Sequence, residues 1–202
     1  MKIYITSHGQ KQWNIEDRIQ GSQNSNLTEQ GKQDALNLGD KLRYTKIDYI
    51  YTSPLKRTYD TALLIKRNRD IPIEVYENLK EMNFGVWEGM HSYNVRREYK
   101  DEYYKFWNEP HLYKPIGGET FEELIKRAKN TLNDIINKKK GENILLVTHA
   151  IFIKAIYAII NDYELKDFWN PPYIKNTCLT ILEYNEDKYK FILEADTSYI
   201  EN

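Results

Sequence analysis

The chain predicts an α/β fold: a three-layer sandwich with a mostly parallel central sheet flanked by helices. Three observations carry this. Short apolar runs of β character recur at Lys2–Thr6, Tyr49–Thr52, Ile73–Tyr76 and Ile144–Thr148. Segments with helical periodicity separate most of them, and strands alternating with helices imply parallel pairing through right-handed crossovers. Finally, no internal repeat and no Pro/Gly/Ser-rich linker interrupts the 202 residues, so one domain spanning 1–202 is expected.

The elements follow in order. Lys2–Thr6 reads as a short buried strand. From Thr28 to about Arg43, Gly31, Ala35, Leu38 and Leu42 share one helical face. After Tyr49–Thr52, Ser53 offers an N-cap and Pro54 a first-turn proline, and Leu55, Thr58, Ala62 and Ile65 continue at helical spacing. This places Arg57 in the first turn of that helix. Ile73–Tyr76 is a further strand, followed by an irregular stretch, Asn78–Met90, that holds Glu81 and FGVWEG. A Tyr- and Trp-rich helical insert is expected at about 91–115. Thr120 and Glu123 form a capping-box signature, ahead of an amphipathic helix carrying Phe121, Leu124, Ile125, Ala128, Leu132 and Ile135. Ile144–Thr148 is the most apolar strand, with a helix starting near Ala150. Two alternating runs, Leu179–Tyr184 and Tyr189–Ala195, flank the polar NEDK and read as an antiparallel hairpin.

Composition bounds the function. With 29 Lys plus Arg against 30 Asp plus Glu, the formal charge is −1, which argues against a general nucleic-acid binder. The apolar tract Ile144–Ile160 contains His149 and Lys154 and falls short of the 18 or more uncharged residues of a membrane span. The N-terminal run is too short for a signal peptide. Cys178 is the single cysteine and sits in an apolar alternation, so it reads as a small buried residue and the compartment as reducing and cytoplasmic. No metal is expected, because His91 and His111 are scattered and no H-x-x-x-H spacing exists.

In a parallel α/β sheet, ligands bind beyond the carboxyl ends of the strands. His8, Arg57 and His149 each follow a different strand end, so all three should face one crevice. A lone histidine is more often structural or surface than catalytic, and two histidines and an arginine at three strand ends bring the two readings level.

The motifs add a resemblance. KIYITSHGQKQWN, RIQG at Arg18–Gly21, LTEQG at Leu27–Gly31, SPLKRTYDTA at Ser53–Ala62, LKEMNFGVWEG at Leu79–Gly89, GGET at Gly117–Thr120 and VTHA at Val147–Ala150 resemble, in the right order, the histidine phosphatase superfamily, also called the phosphoglycerate mutase-like family. The resemblance implies that His8 accepts the phosphoryl group and becomes phosphohistidine. It implies that His149 and Arg57 hold the transferring group, and that Glu81 donates a proton to the leaving oxygen. Ser7, Asn14, Gln20 and Gly21 fall among the positions that line the phosphate and leaving-group pocket. No cofactor is implied, and the partner is a small phosphorylated metabolite, with a monomer or homodimer expected. The modest insert points to the short, cofactor-independent phosphatase branch and phosphomonoester hydrolysis, with phosphoglycerate mutase activity as the alternative. The aromatics Tyr103, Tyr104, Phe106 and Trp107 suggest a partly apolar substrate, although packing is the simpler reading of them.

One departure stands out. An arginine normally precedes the nucleophilic histidine in this family, and here the residue is Ser7. Losing one preorganised donor costs about 10² to 10³ in rate. Ser7 then marks an introduced substitution, a natural one with Lys11 or Lys56 as substitute cation, or an impaired or non-catalytic phosphate-ligand binder. Lys11 is the better placed of the two lysines, but a surface lysine is the simpler reading of it. If Ser7 is a lesion in a competent pocket, Ser7→Arg should raise phosphomonoester hydrolysis at least roughly tenfold.

Overall fold

The computed structural model describes residues 1–138 and 140–200. Its strands are β1 (Lys2–Ser7), β2 (Tyr49–Thr52), β3 (Ile73–Val75), β4 (Asn143–Thr148), β5 (Leu179–Asn185) and β6 (Lys188–Asp196). They form one six-stranded sheet in the order β3-β2-β4-β1-β5-β6, with β1 to β4 mutually parallel and the final hairpin antiparallel. The helices are α1 (Gln12–Ile15), α2 (Glu29–Lys41), α3 (Lys56–Lys66), α4 (Ser92–Glu98), α5 (Lys100–Asn108), α6 (Phe121–Lys138) and α7 (Ala150–Ile160).

The three layers follow from strand alternation, which sends successive side chains to opposite faces. Ile3, Ile5, Ile144 and Leu146 pack with Phe121, Leu124 and Leu132 of α6 and with Phe152 and Ile156 of α7. Their neighbours Tyr4, Ile50, Leu145 and Val147 pack with Ala35 and Leu38 of α2 and with Ala62 and Ile65 of α3. Both faces of the central strands are covered, which is why they read as continuous apolar runs rather than alternating ones.

Most expected boundaries shift by only a residue or two. The predicted capping box at Thr120 forms, with Glu123 accepting from Thr120 N–H at 2.9 Å and the Thr120 hydroxyl accepting from Glu123 N–H, and Thr28 adds a cap whose hydroxyl accepts from Gly31 N–H at 3.0 Å. The Ser53 cap does not. Ser53 N–H still donates to Val147 on the sheet at 3.0 Å, so the chain stays extended and α3 starts two residues beyond Pro54, capped at Leu55. The expected hairpin turns through Glu186 and Asp187, both at positive φ, the two-residue geometry that matches strand twist. The irregular stretch after β3 contains two short 3-10 turns, Glu77–Leu79 and Gly85–Trp87.

Cys178 is fully buried and its thiol is pushed up to about 12 by that burial, as its apolar context led us to expect. Among the described residues, no helix is long and apolar enough to cross a membrane.

Candidate active site

The carboxyl ends of β1, β2 and β4 bring His8, Arg57 and His149 together. Backbone bonds lock the nucleophile candidate: His8 N–H donates to Thr148 at 3.0 Å, and Thr177 N–H donates to the His8 carbonyl at 3.3 Å. Gly9 N–H donates to the Thr61 hydroxyl (3.0 Å), which in turn donates to the Arg57 carbonyl (2.7 Å), tying the His8 loop to α3. Gly9 admits no side chain, because an added Cβ would lie 2.4 Å from the Gly31 carbonyl oxygen.

Hydrogen bonding fixes the protons on both rings. His8 Nδ1 lies 2.8 Å from the Gly9 carbonyl oxygen, which can only accept. Nδ1 therefore carries the proton and Nε2 presents its lone pair. Burial, reinforced by Arg57 and then Lys11, holds the His8 pKa well below the usual histidine value, so the ring is neutral at neutral pH. His149 Nε2 lies 2.9 Å from Ser53 Oγ. The Ser53 hydroxyl already accepts from Leu55 N–H at 3.4 Å, and His149 is the one acceptor within its reach among the described residues. Its proton thus goes to Nε2, which places the His149 proton on Nδ1. The two rings meet edge to face with centroids 5.3 Å apart.

Arg57 is 1% exposed. Its two terminal nitrogens donate to the Gln23 and Gly21 carbonyls, each at 2.7 Å, which aims the guanidinium and leaves Nε unpartnered. Burial lowers it to about 10, with Glu81 and Glu88 opposing, so it remains a cation. Six buried side-chain polar atoms lack a partner among the described residues, and Arg57 Nε, His149 Nδ1 and Gln20 Nε2 are three of them. Buried polar groups are normally satisfied. Three unpartnered N–H donors on residues grouped with His8 are chemically suited to an anion.

Glu81 lies in the loop that the Thr148 hydroxyl anchors by donating to the Leu79 carbonyl at 2.7 Å. Its carboxylate accepts from Met82 N–H (2.9 Å) and, at the start of α7, from Phe152 (3.2 Å) and Ile151 (3.4 Å). Burial nevertheless dominates and raises its pKa, against those donors and the pull of Arg57 and Arg127.

His8, Arg57 and Glu81 open onto a cavity of about 270 Å³ that Lys11 and Gln20 also line, while His149, fully buried against the His8 ring, does not line it. Ile19, Phe84, Trp87, Tyr103, Phe106 and Trp107 supply most of the cavity's apolar lining, and the polar Arg18, Ser92 and Asn176 line it as well. That volume suits a small molecule.

The remaining sequence expectations divide. Asn14 lines the cavity while its Oδ1 accepts from Lys11 N–H at 3.1 Å. Gly21 also lines it, but it acts through the carbonyl that holds Arg57, and its φ of +54° and the Glu88 carboxylate leave no room for a Cβ. Ser7 does not reach the site: its hydroxyl donates to the Lys175 carbonyl at 3.0 Å, and the short side chain has no second donor. The surface reading of Lys11 is overturned, because it is 6% exposed and lines the cavity. Lys56 is an exposed lysine paired with Asp60. Of the insert aromatics, Phe106 is core as well as wall, Tyr103 and Trp107 reach the cavity, and Tyr104 points elsewhere at 56% exposure. Sequence reasoning missed Ser53 and Thr61, which act through other residues; only their place in SPLKRTYDTA hinted at them.

Comparison with known proteins agrees with this geometry. A family model described as histidine phosphatase superfamily (branch 1) matches residues 3–197. Phosphoserine phosphatase 1 of Hydrogenobacter thermophilus is 30% identical over 170 residues, covering 84% of this chain and 81% of that protein. A metal-independent phosphoserine phosphatase of Arabidopsis thaliana is 30% identical over 203 residues, covering 98% and 83% respectively. The structure of Bacillus stearothermophilus YhfR superposes with a TM-score of 0.96 at 38% identity, over 99% of each chain. Matched over nearly its whole length, and with its crevice built to receive an anion beside a neutral histidine, the chain belongs to the histidine phosphatase superfamily and is a phosphomonoester hydrolase.

Proposed function

We propose that the chain hydrolyses a small, partly apolar phosphomonoester by two displacements at His8. The convergence of the unpartnered donors on Arg57, His149 and Gln20 beside His8 Nε2 carries this reading. In the first step Nε2 attacks phosphorus and the P–O ester bond breaks. The leaving oxygen takes a proton from Glu81, and phosphohistidine forms. In the second, water attacks phosphorus, gives a proton to Glu81, and the N–P bond breaks to release inorganic phosphate. Arg57 Nε and His149 Nδ1 stabilise the charge on the equatorial oxygens throughout. Glu81 must begin protonated. Its burial works in that direction, and an arriving phosphate dianion adds to it.

The leaving-group side favours an aryl or alkyl group. Ile19, Phe84, Trp87, Tyr103, Phe106 and Trp107 offer apolar surface. Arg18, the cation on that wall, is spoken for by Glu16 at 2.9 Å and by the Gly89 carbonyl at 2.9 Å. A zwitterionic leaving group such as serine would desolvate two charges against this wall. A reducing, cytoplasmic setting belongs to the same reading, supported by the lone buried Cys178. Comparing kcat/KM for phenyl phosphate, phosphoserine and 3-phosphoglycerate tests the substrate class. We expect phenyl phosphate to lead by at least about tenfold, the worth of one to two buried methylene equivalents. Preference for phosphoserine would overturn the apolar assignment, and isomerisation of phosphoglycerate without phosphate release would overturn hydrolysis.

A further inference from the structure

Lys11 sits three residues past His8, in the turn that enters α1. Its backbone is pinned on both sides: Lys11 N–H donates to Asn14 Oδ1 at 3.1 Å, and its carbonyl accepts from Asn14 N–H at 2.9 Å. The side chain runs into the cavity with only 6% of the residue exposed. Its ammonium makes no hydrogen bond and no ion pair among the described residues. The other buried lysine, Lys154, is different, because its ammonium donates to the Asn170 and Pro172 carbonyls.

An ammonium held largely out of water with no protein partner is costly. Here burial lowers it to about 8, Arg57 pushes the same way, and Glu81 opposes them. Lys11 and Arg57 therefore both line a cavity whose one lining carboxyl is Glu81, while the third lining cation, Arg18, is already held by Glu16 and the Gly89 carbonyl. At the end of β1, Ser7 supplies no charge, since its one proton is committed to Lys175. A phosphoryl dianion entering beside His8 would meet Lys11 and Arg57 together and satisfy both.

We propose that Lys11 Nζ is a catalytic residue that donates to a non-bridging oxygen of the transferring phosphoryl group, and so supplies from the α1 turn the second cation that Ser7 cannot. This rests on the hydrolysis reading above and adds a residue to it. It makes an unusual pair of expectations, because a group that is costly in the empty site and useful in the loaded one trades stability for rate.

The test is Lys11→Met, which keeps the stem and removes the charge, compared with Lys11→Arg and the parent chain. We expect Lys11→Met to lower kcat/KM for phenyl phosphate about 10²- to 10³-fold, the range for one lost preorganised donor. Competitive inhibition by inorganic vanadate should weaken at least about tenfold, and Lys11→Arg should recover most of both. The thermal midpoint of Lys11→Met should equal or exceed the parent's, since a charge held largely out of water without a protein partner has been replaced by an apolar group. Turnover within about threefold of the parent, or a lowered midpoint with the activity loss, would overturn the proposal. Failure of the parent itself to release phosphate would instead overturn the hydrolysis reading.

Discussion

Glu81→Gln separates proton transfer from every other contribution of the site. The substitution keeps the shape, and Oε1 can still accept from Met82 and Phe152 N–H. The lost oxygen gives up only the long 3.4 Å bond to Ile151 N–H. What disappears is the proton. General acid catalysis contributes about 10² to 10⁴ in rate, so kcat/KM for a simple alkyl phosphate should fall by roughly 10³. For p-nitrophenyl phosphate, whose phenolate departs without a proton, the fall should stay below about tenfold, and phosphoenzyme should accumulate because water loses its base. The same variant has a stability signature. Burial raises the folded pKa of Glu81 above the unfolded value. Its contribution to stability is therefore intact below the unfolded pKa, about 4.3, and is lost as pH rises through the folded pKa. Glu81→Gln should be at least as stable as the parent at neutral pH, with the advantage vanishing as the pH falls below about 4. The assays are steady-state kinetics on the two substrates and thermal melts across that pH range. Equal losses on both substrates would show that Glu81 merely shapes the site and would refute the proton-donor role.

Two further substitutions probe the positioning of charge and proton. Ser53→Ala removes the hydroxyl that donates to His149 Nε2 and frees the ring to change tautomer. We expect a roughly 10- to 100-fold loss of kcat, within the range for weakening one transition-state donor, with about 1–3 kcal/mol lost from denaturant unfolding; kcat unchanged would contradict the tautomer assignment. Ser7→Arg should add less than about tenfold to the parent, where Lys11 already provides the cation, yet more than tenfold to Lys11→Met. Equal gains in both backgrounds would mean that the two positions act independently.

The architecture was legible because its signals are local and mutually consistent. Gly31, Ala35, Leu38 and Leu42 do share the buried face of α2 and its C-terminal end, and the apolar Ile144–Ile160 tract does split into β4 and α7. His8, Arg57 and His149 were legible as a set because the parallel topology brings strand ends together, so position in sequence translated into position in the crevice. What stayed hidden depends on side-chain direction. Ser53 looked like a helix cap, and only its alignment with His149 across 96 residues of sequence shows what its hydroxyl does. Lys11 looked like a surface lysine because nothing in SHGQKQWN says that the turn folds inward. Ser7 was expected at the phosphate and instead serves Lys175, a contact 168 residues away that no local pattern encodes. Nor does any local pattern show that the Gly21 carbonyl holds Arg57, or that Glu88 leaves no room for a side chain there.

The central claim is that His8 Nε2 carries the phosphoryl group between substrate and water. Rapid-quench mixing of the parent chain with radiolabelled p-nitrophenyl phosphate, followed by acid and base treatment of the denatured protein, tests it directly. The label should form within one turnover, be lost in acid, survive base, map to His8 and be absent from His8→Ala. Phosphate release at an undiminished rate from His8→Ala, or turnover by the parent with no label at His8, would contradict it.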